Sequence, residues 1–578
     1  MKKKFTWLIV SCLLVTALVL SSCTSAEEPT AAIAKVPKYG GELIVVLERP
    51  TLGFDDVYQV AWRTDALHFT SDQLLIGDWA KGPGGTGEAS FSQNDFSLQY
   101  MTGNLAESWE IPDPDTVIFH IRKGVKWQDK PPVNGREFVA EDAAFSLRRA
   151  CTTKGSYMHQ NYPDWFESAT ATDKYTFVIK GHDSEKNRTA TVFENIVSTV
   201  RPVAPEVIEK YGDQKDWKNV VGTGPYIIVD YVPQSSAAFD RNPDYHMMDP
   251  LHPKNRLPYP DKLRWLVIQD KSTYLSAMRT GKVDVLAVNN QVDYEQAALL
   301  MKTNPELQYK KTIKAGIWSI HGRMDKKPFD DIRVRRALQM AINNQEIADT
   351  YYGGEAELIT WPVSPIQEFK STGMYVSLEE LPESTRELFE YHPDKAKQLL
   401  VEAGYPDGFK TDILIYEPMV ELMEIYKAYW EKIGVELELD VKEYSVYRSM
   451  MGAKTYDQMC IAVKSTGSPM KFITQKPGHS INYSFTDDPY INERVGKIWA
   501  WENMANQDER VKLARENVLR ILDQAYTMQP PNPYLYSFWQ PWIGGNYGAY
   551  GTGYHAQYNY VYFTWVDQDI KETHTGKR

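Results

Sequence analysis

Twice in the second half of the chain, a run of apolar residues at helical spacing stops at a glycine. Residues 393–403 open on Pro393, place Ala396, Leu399, Leu400 and Ala403 on one side, and end at Gly404. Residues 419–433 repeat Leu422, Ile425, Tyr426, Tyr429 and Ile433 and end at Gly434, after which 435–441 alternate as a strand. Proline is pre-set for a first helical turn, and glycine tolerates the left-handed residue that closes a last one. A chain that interleaves such helices with period-two strands buries them in separate layers, so the fold class is α/β. The apolar run 40–47 and the alternating 116–121 add strands. Helices are expected over 140–150, with Ala144, Leu147 and Ala150 inward, and over 331–349, with Val334, Leu338, Ala341 and Ile342 inward and Arg333, Arg335 and Arg336 toward water. A further helix, capped by Asp508, turns Val511, Ala514, Val518, Ile521 and Leu522 inward. No 20–50-residue period repeats, which excludes solenoids and propellers.

With 578 residues the chain is long enough for several domains. Its 43% hydrophobic and 24% charged residues describe a soluble globular protein. The net charge of -12 repels phosphate backbones, so no nucleic-acid partner is expected. The 36 Tyr and 16 Trp fill cores for the most part, and suit wet binding walls as well.

The N-terminus reads as an address. Lys2, Lys3 and Lys4 precede the short apolar run 5–20, then Leu20-Ser21-Ser22-Cys23. The run is too short for a comfortable membrane span. Small residues before a cysteine there resemble a bacterial lipobox, which implies a signal peptide over 1–22, cleavage before Cys23 and acylation of its thiol. Residues 23–38 read as a flexible tether. The protein is expected outside the cytoplasm, held at the membrane through lipid only. Cys151 and Cys460 are expected as buried free thiols.

Catalytic patterns are missing: there is no Gly-x-Ser-x-Gly elbow, His-Glu-x-x-His helix or phosphate-binding loop. The glycine-rich 81–87 lacks the Lys-Ser/Thr ending of such a loop and reads as a surface turn. His246, Met247, Met248 and His252 offer soft ligands, but in a turn-rich stretch at no metal-site spacing, so they too read as a surface turn. No catalytic residue, metal or cofactor is expected, and the chain is read as a binding protein, not an enzyme. A surface hydrolase is the minor alternative.

Several segments in order carry a resemblance: Asn104 to Trp109 (NLAESW), 119–150 with its Arg-Lys-Gly-Val-Lys-Trp and Glu-Asp helix start, Gly222-Thr223-Gly224-Pro225-Tyr226, Arg241-Asn242-Pro243-Asp244-Tyr245, 327–337 (KPFDDIRVRRA), and 394–405. Together they resemble the family 5 extracellular solute-binding proteins, the dipeptide, oligopeptide and nickel receptors of ABC importers. In these motifs glycines are expected to permit unusual φ, Asp330 and Asp331 to start a helix, and Arg122, Lys123 and Lys126 to serve as scaffold charges. The resemblance implies a two-lobed periplasmic-binding-protein-like fold (class II, type C cluster) with an extra subdomain in lobe one. Lobe one would span 39–311 with the subdomain over about 86–201, lobe two 312–530, and 531–578 would return to lobe one. A solute would be captured between the lobes by hinge closure and passed to an ABC permease, the protein acting as a monomer.

The same resemblance implies candidate contacts. Glu48, Arg49 and Phe54 follow the first strand. Trp318 lies near the lobe crossover. Lys464, Ser465 and Thr466 occupy a hinge-proximal strand end. Tyr534, Tyr536 and Trp539 belong to the return segment. Oligopeptide receptors of this kind place an Asp in the stretch matching 463–468, to pair with the ligand's α-amino group. Here 463–468 holds neither Asp nor Glu, and Lys464 favours a carboxylate instead. A peptide-like solute is still expected, with an oligosaccharide stacked on the aromatic tail as the alternative.

Overall fold

The computed structural model describes residues 36–47, 49–58, 64–92, 98–162, 164–182, 193, 196, 200–286, 290–313, 316–465, 477–478, 482–503, 506–549, 551 and 558–577. The apolar run after Gly41 becomes strand β1 (Glu42–Leu47), with Leu43, Val45, Val46 and Leu47 fully buried. A strand apolar on nearly every residue belongs in the middle of a sheet covered on both faces. β1 lies between β4 (Lys262–Val267) and β5 (Val285–Leu286), parallel to both. β2 (Tyr226–Val232) and β3 (Ser236–Arg241) extend this sheet beyond β4 as an antiparallel hairpin. On the other side β12 (Asn532–Trp539), from near the C-terminus, wedges between β5 and β6 (Gln308–Ile313), antiparallel to each. β1, β4, β5 and β6 thus run in one direction.

A second sheet follows at once. β7 (Gly316–Gly322) pairs antiparallel with β11 (Met459–Ser465), which lies parallel to β9 (Phe409–Tyr416), itself parallel to β10 (Val435–Lys442). Its buried core is drawn entirely from residues between Ile313 and Met528. Helices α4 (Pro393–Glu402) and α5 (Val420–Glu431) have the expected boundaries, with Gly404 and Gly434 at positive φ. Gly408, just before β9, also has positive φ, and a Cβ there would sit 1.8 Å from the Gly434 carbonyl oxygen. The close approach of these two glycines lets β9 and β10 start side by side.

A third, four-stranded antiparallel sheet orders Ala106–Asp113, Thr116–Ile121, Thr176–Gly181 and Phe166–Ala171. Helix α1 (Ala140–Thr152) covers it with Ala143, Ala144, Leu147 and Ala150. Its C-terminal Arg149 grips the buried Asp55 carboxylate with two hydrogen bonds of 2.8 and 2.6 Å. The apolar cluster here reaches past the expected 86–201, from Val57 to Val221.

Four local expectations change. The 331–349 helix is two, α2 (Ile332–Met340) and Asn344–Thr350, because Asn343 accepts from the Glu346 amide and restarts the helix. Arg335 is buried, not wetted: its guanidinium donates to the Phe329 carbonyl at 2.7 Å and that of Gln524 at 3.2 Å. Helix α7 (Gln507–Asp523) is capped by Asn506, two residues before the expected Asp508. Gly222 and Gly224 do not have positive φ; a Cβ at Gly222 would lie 1.9 Å from the Thr70 carbonyl oxygen, so the motif serves close backbone approach. As expected, Asp331 caps α2, accepting from the Arg333 amide at 2.8 Å, Arg122 donates to the backbone carbonyls of Asn104 and Gly103, and Cys151 and Cys460 are buried and not joined in a disulfide.

Candidate functional site

The chain passes between the two sheets twice, from Ile313 to Gly316 and from Met528 to Asn532. Ile313 pairs with Tyr534 on one side of the crossing, and Gly316 with Ser465 on the other. Just inside the second body, Met528 and Ile320 exchange backbone hydrogen bonds of 2.9 and 3.0 Å. The parallel strands β1, β4, β5 and β6 all point their C-terminal ends to this side of the first sheet. Those of β9, β10 and β11 do the same in the second, since β7 begins where β11 ends. Two α/β bodies therefore meet with the C-terminal edges of their parallel strands turned toward a shared crossover. In open α/β sheets, that edge is where ligands bind.

The predicted residues divide against this geometry. Arg49 sits two residues beyond β1, its guanidinium 3.7 Å from the fully buried Asp65 carboxylate. Trp318 lies in β7 opposite Val463, half-buried against the second core. Lys464 and Ser465 close β11. Tyr534 and Tyr536 open β12, and their hydroxyls are already engaged. Tyr536 donates to Glu355 at 2.8 Å and Tyr534 to Glu357. Both glutamates belong to or adjoin the short strand β8 (Ala356–Glu357), which pairs with Pro533 and Asn532. The Lys311 ammonium completes this brace, ion-paired with Glu355 and 4.0 Å from the Tyr534 ring centre.

Two predicted residues are not brought to the crossing. Phe54 is buried in the first core, edge-on to Tyr231 of β2 at 5.0 Å, so its ring packs inward instead of lining the crossing. Trp539 ends β12, opposite Gln308 and about 17 Å of strand away from Tyr534. Glu48, Thr466 and Cys23 lie outside the described residues.

Residues not singled out in the sequence also gather here. Tyr416 ends β9, and Tyr444 and Tyr447 open helix α6 (Tyr444–Ala453) directly after β10. Their rings form a cluster with centroids 4.8 to 6.3 Å apart, and Tyr444 stays more than half exposed. The signal was present as an aromatic residue, Tyr444, three positions after the alternating 435–441. His246, read as part of a surface turn, instead turns its ring inward, with 10% of the side chain exposed and Nε2 3.2 Å from Asn104 Oδ1. Burial, with the Arg122 and Arg256 charges, pushes its pKa down to about 3. Among the described residues no group of three His, Cys, Asp or Glu is placed to hold a metal ion.

This architecture is that of the two-lobed binding proteins, which close on a solute between α/β bodies. The sequence pattern of bacterial extracellular solute-binding proteins, family 5 (middle region), matches residues 101–475, and the chain belongs to that family. Heme-binding protein A of Haemophilus influenzae is 27% identical over 73% of this chain and 77% of its own length. A dipeptide-binding protein of Pseudomonas aeruginosa is 27% identical over 71% and 77%. Among solved structures, DppA of Helicobacter pylori in complex with the peptide STSA superposes with a TM-score of 0.67, at 21% identity over 92% of this chain and 99% of that one. HbpA2 of Haemophilus parasuis gives 0.71, at 19% identity over 91% and 100%. As members of this family act outside the cytoplasm, the chain is an extracytoplasmic solute-binding protein.

Proposed function

We propose that this protein is the receptor subunit of an ABC importer, capturing a peptide-like solute between its lobes and presenting the closed form to a permease. The observation that carries this reading is the pair of C-terminal strand edges facing one crossover, with Arg49, Trp318, Ser465 and the Tyr416–Tyr444–Tyr447 cluster along them. Lobe one is taken as 39–311 with 531–578, carrying the subdomain of about 86–201, and lobe two as 312–530. The crossings at 313–316 and 528–532 support that division. Peptide-binding relatives support the solute class. Rotation about the crossings brings the edges together and removes water from the guest, whose amides then meet backbone donors and acceptors in a drier medium. No bond of the solute is broken.

A thermal-shift screen over di- to tetrapeptides, oligosaccharides and hemin tests the solute class; hemin is included because one relative is named a heme-binding protein. A ligand at a hundred times its Kd stabilises the folded state by about 2.7 kcal/mol. A rise confined to peptides is the expected result. A rise confined to sugars or hemin overturns the peptide assignment.

We also propose that the chain is anchored through a lipid on Cys23, after removal of 1–22. The basic start, short apolar run and Leu-Ser-Ser-Cys order support it. Cys23→Ser is expected to move the protein from the membrane to the soluble fraction; a variant that stays membrane-bound contradicts the anchor.

A further inference from the structure

Away from the crossing strands, a carboxylate of the second lobe is inserted into the first. Glu368 lies in the short helix α3 (Gln367–Ser371), whose Phe369 is embedded in the lobe-two core. Its Oε1 accepts from the backbone N–H of Ser90 at 2.9 Å and of Phe91 at 3.0 Å, and its Oε2 accepts from Ser90 Oγ at 2.8 Å. Ser90 and Phe91 belong to lobe one: the Phe91 ring lies parallel to that of Trp79, and Trp79 stacks on Phe563 at 4.4 Å. One helical turn on, Ser371 Oγ meets Tyr100 Oη at 3.2 Å, and Tyr100 packs in the lobe-one core. A third polar contact joins Trp501 Nε1 to the Ile111 carbonyl at 3.3 Å.

We propose that Glu368 is a positioning residue that latches the lobes together, gripping the Ser90–Phe91 backbone in the closed protein and releasing it when they part. This rests on the two-lobed closure described above. Two features favour a latch over permanent glue. The contact is made of groups that water can satisfy equally well once the lobes separate, as in interfaces between domains that move. In the joined state, by contrast, the carboxylate is 3% exposed with three donors, and hydrogen bonds to a charged acceptor in that setting are roughly twice as strong as neutral ones. Neither partner belongs to the strand edges, so the latch sets how readily the jaws stay shut without touching the guest. Closing is then favoured before any solute arrives, which raises apparent affinity by enlarging the competent fraction.

The test reads the separation of the lobes directly. Spin labels on ketone-bearing amino acids at the exposed positions of Glu209 and Lys410 leave the native cysteines untouched. Electron–electron distances are then compared in the purified full chain and its Glu368→Ala and Glu368→Gln forms, with melting curves confirming that each variant is folded. Expected is a loss of about threefold or more in the population at the separation of this structure for Glu368→Ala, toward longer distances, and a smaller loss for Glu368→Gln, which keeps the shape but not the charge. An unchanged distribution in Glu368→Ala overturns the latch, whatever the wild-type distribution is. Failure of lobe closure itself is read separately: the wild-type protein then shows no population at the separation of this structure, even with a compound that scores in the thermal-shift screen.

Discussion

Replacing Lys571 by Met is expected to lower the unfolding free energy of lobe one by about 3–5 kcal/mol, the usual cost of leaving one member of a buried ion pair behind. Lys571 lies on the C-terminal helix Gln568–Thr575 and reaches into the sheet, its ammonium 3.1 Å from Asp284 Oδ2. Asp284 is completely buried just before β5 and accepts from the Ile44 amide and the Trp542 indole, both at 2.7 Å. Burial pushes this carboxyl upward, and the Lys571 charge is the main force holding it down. Without the lysine, the carboxylate must stay charged in an apolar setting or take up a proton. Guanidinium unfolding followed by tryptophan fluorescence checks the loss. Adding Asp284→Asn is expected to restore part of it, because the amide oxygen still serves Ile44 and carries no charge. A full-sized loss in the double variant would show that the lysine acts by packing alone.

The second expected result has the opposite sign. Asp72→Asn is predicted to stabilise the protein by roughly 2–3 kcal/mol at pH 8 and to have no such effect below pH 4. Asp72 is buried, and its Oδ1 accepts from Asn104 Nδ2 at 3.2 Å and Tyr245 Oη at 3.0 Å. Its Oδ2 has no donor and faces His246 Nδ1 at 3.9 Å, which has none either. His246 Nε2 donates to Asn104 Oδ1, so the facing Nδ1 presents a lone pair to a lone pair. Burial raises the Asp72 pKa from 3.8 to about 6. The folded protein therefore binds more protons than the unfolded chain between those values, and stability is lost as pH rises through them. An asparagine supplies the missing N–H toward His246 without a charge and removes that loss. His246 works the other way: its pKa falls from 6.5 to about 3, so acid weakens the fold across that range. The variant should accordingly show a steeper decline in acid than the natural protein. Urea midpoints from pH 4 to 8 decide the matter; a constant offset between the two curves contradicts the proton argument.

What the sequence made legible was local. Pro393, Gly404 and Gly434 bounded helices because their conformational limits act within a turn, and the β1 run announced its central place through its composition. Arg335 misled because helical spacing gives only a face; the Phe329 carbonyl that holds it lies in the turn before the helix, and that of Gln524 comes from far along the chain. His246 misled for the same reason, since its inward turn depends on Asn104 and Asp72, both far off in the chain. Of the site, the ordered motifs located strand ends well: Arg49, Trp318, Lys464 and Ser465 all fall at the crossover edges. Phe54 and Trp539 lay near those motifs but face cores, a difference of side-chain direction and strand position that spacing does not encode. The tyrosine brace onto Glu355 and Glu357 needed β8, a two-residue strand too short to leave a pattern.

The wedge of β12 between β5 and β6 dictates the order in which this protein can be assembled. Everything from β7 through α7 is one uninterrupted stretch and holds its own core, whereas β5 and β6 wait for a neighbour made more than two hundred residues later. A chain emerging N-terminus first therefore completes its later-made lobe before its earlier one. Once lobe two has condensed, its two ends stand side by side, and the long loop that β12 must close has already been shortened to a few residues. The lobe that begins the chain is thus the last to be sealed.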